Sequence, residues 1–326
     1  MEIIEKVHLV KIPVPFELEF VNLYLIEGDS GLTLIDCGPK RDDTYEGLNK
    51  YLQSINRSFK DITNLVITHY HVDHYGFSGE IRKLSDLSII MHESELPLVD
   101  SYNSTFNFWV DQALNYGMPD TFVKDIKRLY ELVPSMISHA DVDIAVRDGQ
   151  KIELDGSTYE VVWTPGHSPG HLCLYNRERK FLFTGDHLLL EITPNPGDPS
   201  FGSIMGENSL KHFLNSLNKL KEYDVDIAFP GHGSIIENME GRVDEILIHH
   251  EERFEHILDL MNNKEQTAYE ICLKMNWFEN TIVGTELPDS EKPLALVEAV
   301  THLELLRTRG KVKRKYNKPY YTFIKI

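Results

Sequence analysis

The sequence predicts an α/β protein in which two β-sheets are covered by helices on both outer faces, followed by a small C-terminal domain. The first observation is the order of segments, because strands, helices, strands and helices follow one another along the first 240 residues. The second is a helical stretch inserted between strands, and the third is a change to long helices near residue 242. With 326 residues, 41% of them hydrophobic, the chain can bury a large core and is too apolar to be disordered.

Short apolar runs bounded by turn residues predict the strands of the first half. VNLYLIEGD and SGLTLIDCG indicate two strands joined by a glycine-containing hairpin, and Leu65–Thr68 indicates a buried strand. Residues 43–57 and 76–84 are predicted to be helical, and Leu87–Met91 is predicted to be another strand. From about residue 94 to 140 the pattern is helical and rich in aromatic residues. Such an insertion is either a lid over a site or a segment that packs on the body.

The second half repeats the pattern of strands followed by helices. The predicted elements are strands at 151–154, 158–163, 171–175 and 180–184, a helix at 208–222 and a strand at Ile227–Phe229. Three amphipathic helices then begin at VDEILIHH, TAYEICLKMNW and PLALVEAV, and KVKRKYNKPYYTFIKI forms two short strands around an Asn-Lys-Pro turn. This layout predicts a main domain over residues 1–242, with its insertion at about 94–140, and a winged-helix-like domain over 243–326.

Charge is distributed unevenly along the chain. Its 33 Lys and Arg residues against 51 Asp and Glu residues give a net charge of −18. Residues 307–326 contain eight basic residues and no acidic one, so the first 306 residues carry 25 basic and 51 acidic residues, a net −26. An acidic body repels a phosphate backbone, which excludes general coating of nucleic acid. The basic tail leaves open either RNA binding or packing on the acidic body.

The cysteines and the N-terminus indicate the compartment. Cys37, Cys173 and Cys272 lie far apart, which supports neither a disulfide framework nor a cysteine-based zinc site. This usage suits a reducing cytosol. The N-terminal segment carries charges where a signal peptide needs an apolar core, and no run approaches ~18 apolar residues. We therefore expect a cytoplasmic protein that does not cross a membrane, and the oligomeric state stays open.

A cluster of histidines follows the buried strand at Leu65–Thr68. In the run THYHVDH, His69 and His71 are two residues apart and point to the same side of an extended chain. Asp73 and His74 follow where the chain should turn into a helix, and can face the first pair across a gap. Imidazole nitrogens and carboxylate oxygens are ligands that zinc accepts. Four such side chains within six residues indicate a metal site.

Three further ligand-type residues each follow an apolar strand and a turn of small residues. They are His167 in TPGH, Asp186 in TGDH and His232 in PGHG. Glycine in these turns allows the backbone to approach closely without a side chain in the way. Together with the first cluster they make seven candidate ligands, which is enough for two metal ions.

With these residues in this order, the chain resembles the metallo-β-lactamase superfamily over roughly residues 1–240. The resemblance implies a four-layer αββα sandwich, which agrees with the order of predicted elements. It also implies a ligand set in which Asp186 bridges two divalent ions, the first held by His69, His71 and His167 and the second by Asp73, His74 and His232. Zinc is the default for such histidine-rich sites, and iron or manganese is compatible with the mixed ligands.

The aspartate at position 186 limits which branches of the superfamily the chain resembles. Antibiotic-cleaving members do not place a bridging aspartate at the position of Asp186, and many carry a cysteine there, so a β-lactamase is not expected. The chain looks like the glyoxalase II, lactonase and ribonuclease branches. The run from Gly185 to Leu189, continued by Ile192 to Asn195 and followed by a winged helix, is similar to lactamase-like hydrolases assigned as endoribonucleases or thioesterases.

Other residues are expected to surround the ligands. Asp36 is predicted either to accept a hydrogen bond from a ligand histidine or to cap a turn. His171 is predicted to support or pack against the ligands, since the first ion already has three histidines. His187 either contacts substrate or only flanks Asp186. Aromatic residues of the insertion are predicted to contact an acyl chain or an adenine ring, namely Phe106, Phe108 and Trp109.

These features predict a dinuclear metal-dependent hydrolase. Two ions ~3.5–4 Å apart share a hydroxide and supply a nucleophile at neutral pH, and Asp73 is the carboxylate expected to orient it. The favoured substrate is an ester or thioester, as in glyoxalase II. One alternative is a phosphodiesterase or endoribonuclease acting on single-stranded RNA that the basic tail guides. A non-catalytic binding protein is disfavoured, because no ligand position is missing.

Overall fold

The computed structural model describes residues 1–15, 18–154, 156–197, 205, 207–262, 264–277 and 281–326, without the side chains of 100–109, 125, 126, 129 and 130. The predicted contacts of Phe106, Phe108 and Trp109 lie outside the described residues. Across the part of the chain that is described, every helix is too short or too polar to cross a bilayer.

The first sheet has seven strands in sequence order. They are β1 (Glu2–Ile4), β2 (Val7–Pro13), β3 (Phe20–Glu27), β4 (Leu32–Ile35), β5 (Ile62–Val66), β6 (Ser88–His92) and β7 (Ile144–Val146). The strands from β1 to β4 pair antiparallel, and those from β4 to β7 pair parallel. Parallel pairs need crossover connections, which here are helical. The crossovers contain α1 (Asp42–Ser54), α2 (Val72–Tyr75), α3 (Ser78–Leu84), α4 (Leu96–Asn115) and α5 (Asp120–Tyr130).

The second sheet has five strands in the order β12-β11-β10-β9-β8. They are β8 (Lys151–Leu154), β9 (Ser157–Trp163), β10 (Leu172–Asn176), β11 (Phe181–Gly185) and β12 (Ile227–Pro230). The pair β11 and β12 is parallel and the other pairs are antiparallel. The connection from β11 to β12 contains helix α6 (Ser209–Leu220).

Three clusters of buried side chains show the layers. One cluster lies between the sheets and combines residues such as Ile35 and Val66 of the first sheet with Phe183 of the second. The outer face of the first sheet packs on Leu48 of α1 and its neighbours. The outer face of the second sheet packs on α6 through residues such as Phe213. The predicted architecture of two sheets between helical layers is confirmed.

The C-terminal part contains three helices, a short two-stranded ladder and a hairpin. Its elements are α7 (Met239–Leu260), α8 (Ala268–Cys272), β13 (Asn276–Trp277), β14 (Ile282–Val283), α9 (Lys292–Thr308), β15 (Val312–Asn317) and β16 (Tyr320–Lys325). The expected helix over TAYEICLKMNW is wrong beyond Cys272, because Asn276 and Trp277 pair with β14 as a short ladder. The order of three helices and a hairpin is as predicted, while the winged-helix assignment and the boundary near residue 242 stay predictions.

The C-terminal part shares its core with the second sheet and with the insertion. Val162 and Leu182 of the second sheet lie in the same hydrophobic cluster as Leu303 and Phe323. In the insertion, the Tyr116 ring lies 5.6 Å from that of Tyr321, measured between centroids. These contacts favour packing of the insertion on the body over a free lid for this described part.

A fully buried histidine pair connects α7 and α9. His250 Nδ1 and His302 Nε2 lie 3.1 Å apart, and His302 Nδ1 donates to the carbonyl oxygen of Glu298 at 2.7 Å. Burial lowers the pKa of both imidazoles, to about 3 for His302. Both rings are therefore neutral in the folded protein at the pH values where histidines of the unfolded chain take up a proton.

The pair should make the protein acid-sensitive. Its contribution is fully present above the unfolded pKa of ~6.5 and is lost as pH falls, at about 1.4 kcal/mol per pH unit for each histidine. Between pH 6 and pH 5, the free energy of unfolding should fall by about 1.4 kcal/mol less in His302→Gln than in the wild-type protein, because one buried histidine has been removed. Urea unfolding of the chelator-treated protein at several pH values measures it. Equal pH slopes for the two proteins would contradict the prediction.

Candidate metal centre

The candidate ligands lie where strands of both sheets end. His69 and His71 follow β5, and Asp73 and His74 lie in the short helix α2. On the second sheet, the other three candidates follow or end strands, namely His167 after β9, Asp186 after β11 and His232 after β12. The two sheets meet at this edge, where Leu172 N donates to Thr68 O at 3.0 Å. The seven predicted ligands therefore come together from two separate sheets.

Three histidines form the first group. His71 Nδ1 lies 3.0 Å from His69 Nε2 and 3.0 Å from His167 Nε2. The rings of His69 and His167 are nearly perpendicular to that of His71. All three ligand atoms lie within 4.8 Å of one another, close enough to hold one ion.

Asp73, His74 and His232 form the second group. Asp73 Oδ2 lies 3.3 Å from His232 Nε2 and 3.8 Å from His74 Nε2. These atoms also fall within the 4.8 Å limit that allows them to hold one ion. Two imidazoles and a carboxylate are a usual ligand set for zinc and for other first-row divalent metals.

Asp186 lies between the two groups. Its Oδ2 atom is 3.3 Å from His232 Nε2 and 3.4 Å from His74 Nε2, both of the second group. The same atom is 3.8 Å from His167 Nε2 of the first group. One carboxylate therefore reaches both groups, which is the position that a bridging ligand occupies.

Several ligand atoms are buried without a hydrogen-bond partner. Among the described side chains, these include Nε2 of His74, Nε2 of His232 and Oδ1 of Asp186. Buried polar atoms are normally hydrogen-bonded, and leaving one unpaired costs about 1–3 kcal/mol. Divalent ions would be partners for all three atoms, so the donor set fits two bound metals.

The pKa values of the second group are also those expected of a metal site. Burial disfavours charge on Asp73, but His74 and His232 hold its pKa at about 2. Burial likewise favours neutral His232, but Asp186 and Asp73 raise its pKa to about 10. A metal ion bound by His232 would displace this proton, so the affinity for a metal should rise with pH.

The outer nitrogens of the ligand histidines are held by hydrogen bonds. Asp36 Oδ2 lies 2.7 Å from His74 Nδ1, and Asp36 Oδ1 accepts from Thr68 N at 2.8 Å. His232 Nδ1 donates to the carbonyl oxygen of Phe20 at 2.7 Å. Such contacts set the tautomer and the orientation of a ligand ring, leaving Nε2 to bind metal. Asp36 thus lies where it can serve a ligand histidine, the first of its two predicted roles.

His171 supports the bridging residue through the backbone. Its Nε2 atom accepts from Asp186 N at 3.1 Å, and its Nδ1 atom lies 2.8 Å from Thr164 Oγ1. Burial lowers the pKa of His171 well below its usual range, which keeps Nε2 available as an acceptor. Both ring nitrogens of His171 therefore contact protein atoms, which is the arrangement expected of a residue that supports the ligands.

His187 is buried more deeply than a substrate contact would suggest. Its ring is fully buried and lies 4.7 Å from the Phe213 ring and 5.7 Å from that of His171. Burial lowers its pKa to about 3. Its predicted contact with substrate stays a prediction, and the described surroundings are those of a core residue.

Two further residues at the site were not predicted from the sequence to contact the ligands or their loops. Glu95 accepts hydrogen bonds from the loops that carry His69, His71 and His167. The carbonyl oxygen of Asn195 accepts from His167 Nδ1 at 3.0 Å. Neither position has a local signal, because Glu95 follows a strand in a polar turn and Asn195 acts through its backbone.

The fold and the site define a class of protein: a four-layer α/β metallo-hydrolase with a histidine- and aspartate-rich centre at the edge where two sheets meet. The model of the Metallo-beta-lactamase superfamily matches residues 17–232. The chain therefore belongs to the metallo-beta-lactamase superfamily, whose members bind divalent metals.

Similar proteins extend the match beyond this domain. The probable metallo-hydrolase YqjP of Bacillus subtilis is 28% identical over 313 residues, which is 93% of this chain and 92% of that protein. The crystal structure of a metallo-beta-lactamase family protein from Thermus thermophilus is 28% identical, with a TM-score of 0.86 over 100% of both chains. An atrochrysone carboxyl ACP thioesterase of Aspergillus fumigatus is 25% identical over 251 residues, or 77% of this chain and 62% of that one.

Proposed function

We propose that this chain is a dinuclear metal-dependent hydrolase that cleaves an ester or thioester. The observation that carries the proposal is the position of Asp186 Oδ2, which lies within 3.8 Å of Nε2 atoms from both ligand groups. His69, His71 and His167 would hold one ion, and Asp73, His74 and His232 the other. When bound, such a pair of ions lowers the pKa of a water molecule and polarises the oxygen of the bond under attack. Zinc is the default ion, with iron or manganese as alternatives.

Asp73 is the carboxylate best placed to act on the nucleophile. Its side chain is 13% exposed, whereas that of His74 is fully buried and that of His232 is 3% exposed. Asp73 is therefore the most solvent-accessible member of the second group. A carboxylate there can accept a hydrogen bond from the attacking water and orient it.

The substrate class is inferred from one relative and from two exposed apolar residues close in sequence to backbone partners of the ligands. Phe20, whose carbonyl oxygen accepts from His232, is 43% exposed, and Ile192, three positions before Asn195, is 40% exposed. Exposed apolar side chains suit an acyl chain, which gains about 25 cal/mol per Å² of apolar area buried. The similarity to an acyl carrier protein thioesterase supports the same class.

A panel of substrates with metal analysis tests the proposal. The purified protein is assayed with acyl thioesters, lactones and bis-p-nitrophenyl phosphate, while its metal content is measured by elemental analysis. We expect two metal ions per chain and turnover of a thioester or ester that is lost on chelation and restored by Zn²⁺. If the protein turns over only the phosphodiester, its substrate is a phosphodiester and not an ester or thioester. Activity without metal would overturn the mechanism.

Contacts of the basic tail favour packing over RNA binding. Arg309 Nη2 lies 3.2 Å from Glu251 Oε1, and Arg314 Nη1 lies 2.7 Å from Glu304 Oε1. Lys315 pairs with Glu265. Basic side chains of the tail thus meet acidic groups of the same chain, which reduces the positive field that an RNA strand would meet.

Neutralising the tail separates the two possibilities. We expect replacement of Arg309, Lys311, Lys313, Arg314 and Lys315 by glutamine to leave turnover of small esters within about twofold, since exposed ion pairs contribute little. Affinity for single-stranded RNA should likewise not change. If the tail instead guides RNA, cleavage should fall and the salt dependence of binding should flatten by roughly 0.7 per lost phosphate contact. Binding at a series of salt concentrations decides between them.

A further inference from the structure

A fully buried carboxylate lies behind the first histidine group. Glu95 ends the short 3-10 turn that precedes α4, the first helix of the insertion, and is not one of the candidate ligands. Its Oε2 atom accepts from Tyr70 N at 2.8 Å. Its Oε1 atom accepts from Ser168 Oγ at 2.7 Å and from Gly170 N at 2.5 Å. One carboxylate is therefore held by three donors from two loops.

Two of the three donors lie directly beside ligand histidines, and the third is in the same loop as His167. Tyr70 is between His69 and His71 in the loop that leaves the first sheet. Ser168 follows His167 in the loop that leaves the second sheet, and Gly170 lies two residues further on. Glu95 therefore connects the two loops whose histidines must converge on one point.

The surroundings of this carboxylate are tightly packed. A Cβ atom on Gly170 would lie 2.7 Å from Glu95 Cγ and 2.7 Å from Glu95 N, so the loop has room only for glycine there. A buried carboxylate is costly unless it is hydrogen-bonded, and bonds to an ionised acceptor are roughly twice as strong as neutral ones. These bonds hold the loops at the separation that places His71 Nδ1 3.0 Å from both His69 Nε2 and His167 Nε2.

From these contacts we infer that Glu95 is a positioning residue for the first histidine group. It sets the distance between the Tyr70 and Ser168 loops, and through it the convergence of His69, His71 and His167 on one ion. The inference rests on the proposed function, because it needs an ion at this group. It also means that the helical insertion begins with a residue on which the metal centre depends.

Glu95→Gln tests the inference with a side chain of nearly the same shape. The amide keeps one acceptor oxygen but turns an NH₂ group toward an N–H or O–H donor. We expect the affinity of one of the two ion sites for Zn²⁺ to fall about 10- to 100-fold, the usual cost of losing a group that orients a ligand. The other site should change by much less. Competition with a chromophoric chelator measures both affinities, and the absorption spectrum of the Co²⁺-loaded protein reports the altered histidine geometry.

Asp143→Asn is the matched control. The Asp143 carboxylate also accepts a backbone N–H, from Ile89 at 2.8 Å, and it pairs with Arg82, but it contacts neither histidine loop. This variant should lose stability in thermal unfolding of the metal-free protein and keep both Zn²⁺ affinities. The Asp143 side chain is 38% exposed, so this variant controls for the loss of a carboxylate that accepts a backbone N–H and not for burial. If both variants lose Zn²⁺ affinity alike, the effect is general and counts against a specific role for Glu95.

Ser168→Ala keeps the test decisive if Glu95→Gln does not fold. It removes only one donor, and we expect a smaller fall in affinity at the same site. If Glu95→Gln folds, unchanged Zn²⁺ affinities and an unchanged Co²⁺ spectrum in that variant would overturn the inference. If it does not fold, the same result in Ser168→Ala would overturn it. A wild-type protein that binds no ion would instead overturn the proposed function, so the two failures are distinguishable.

Discussion

Asp186→Ala should remove at least one of two bound ions and strongly reduce hydrolysis. The Asp186 Oδ2 atom is within 3.4 Å of His74 Nε2 and His232 Nε2 and 3.8 Å from His167 Nε2, so its loss affects both coordination spheres. A bound ion supplies several kcal/mol of transition-state stabilisation, so we expect turnover to fall by about 10³-fold or more. Elemental analysis and assay of the same preparation measure metal content and activity together.

Asp224→Ala provides the comparison for this variant. Asp224 pairs with Lys180, and its side chain is 71% exposed. It lies before β12, whereas the metal centre lies where that strand ends. This control should keep two ions and full activity. An Asp186→Ala protein with two ions per chain and wild-type turnover would remove the basis of the dinuclear assignment.

Gly231→Ala should disrupt the centre by adding a single methyl group. A Cβ atom at this position would lie 2.4 Å from Asp186 Oδ1 and 2.8 Å from His74 Cε1, closer than real Cβ contacts allow. Two ligand side chains must move to make room, and misplacement of reacting groups by 1 Å costs about 10²-fold in rate. We expect a loss of that size, with weakened binding of one ion. Steady-state kinetics and Zn²⁺ titration measure the two effects.

Gly149→Ala is the matched glycine control. Gly149 has φ +70 and no atom within 4 Å of the position of an added Cβ, so alanine there meets only backbone strain. That strain costs roughly 1–2 kcal/mol of stability. The control should therefore unfold at a lower temperature and keep its turnover. If Gly231→Ala behaves in the same way, the close contacts around Gly231 are not important to the centre.

Much of the architecture and the candidate ligands could be predicted because both depend on local patterns. Apolar runs with a period of two residues indicate strands, and turns of small residues mark where the strands end. His69, His167 and His232 were identified because each follows such a strand. The structure brings all seven candidates together, since those strand ends lie at one edge of the sandwich.

The supporting contacts of Glu95 could not be predicted, because they join residues far apart in the chain. Glu95 meets Ser168 across 73 positions, and no nearby residue pattern distinguishes it from a polar turn. Tertiary contacts also override local propensity after Cys272. There the helical pattern continues in the sequence, yet Trp277 pairs with Ile282 and its Nε1 donates to the carbonyl oxygen of Cys272.

Each ligand group takes residues from both sheets, and this affects the whole molecule. In the first group His167 comes from the second sheet, and in the second group His232 does. An ion in either group would therefore be a cross-link between two halves that otherwise meet mainly through apolar packing. Such a cross-link would stabilise the folded chain by about 1.4 kcal/mol for each tenfold excess of free ion over its dissociation constant. The supply of metal would then affect the fraction of molecules that unfold and become open to proteolysis, and not only the rate of turnover.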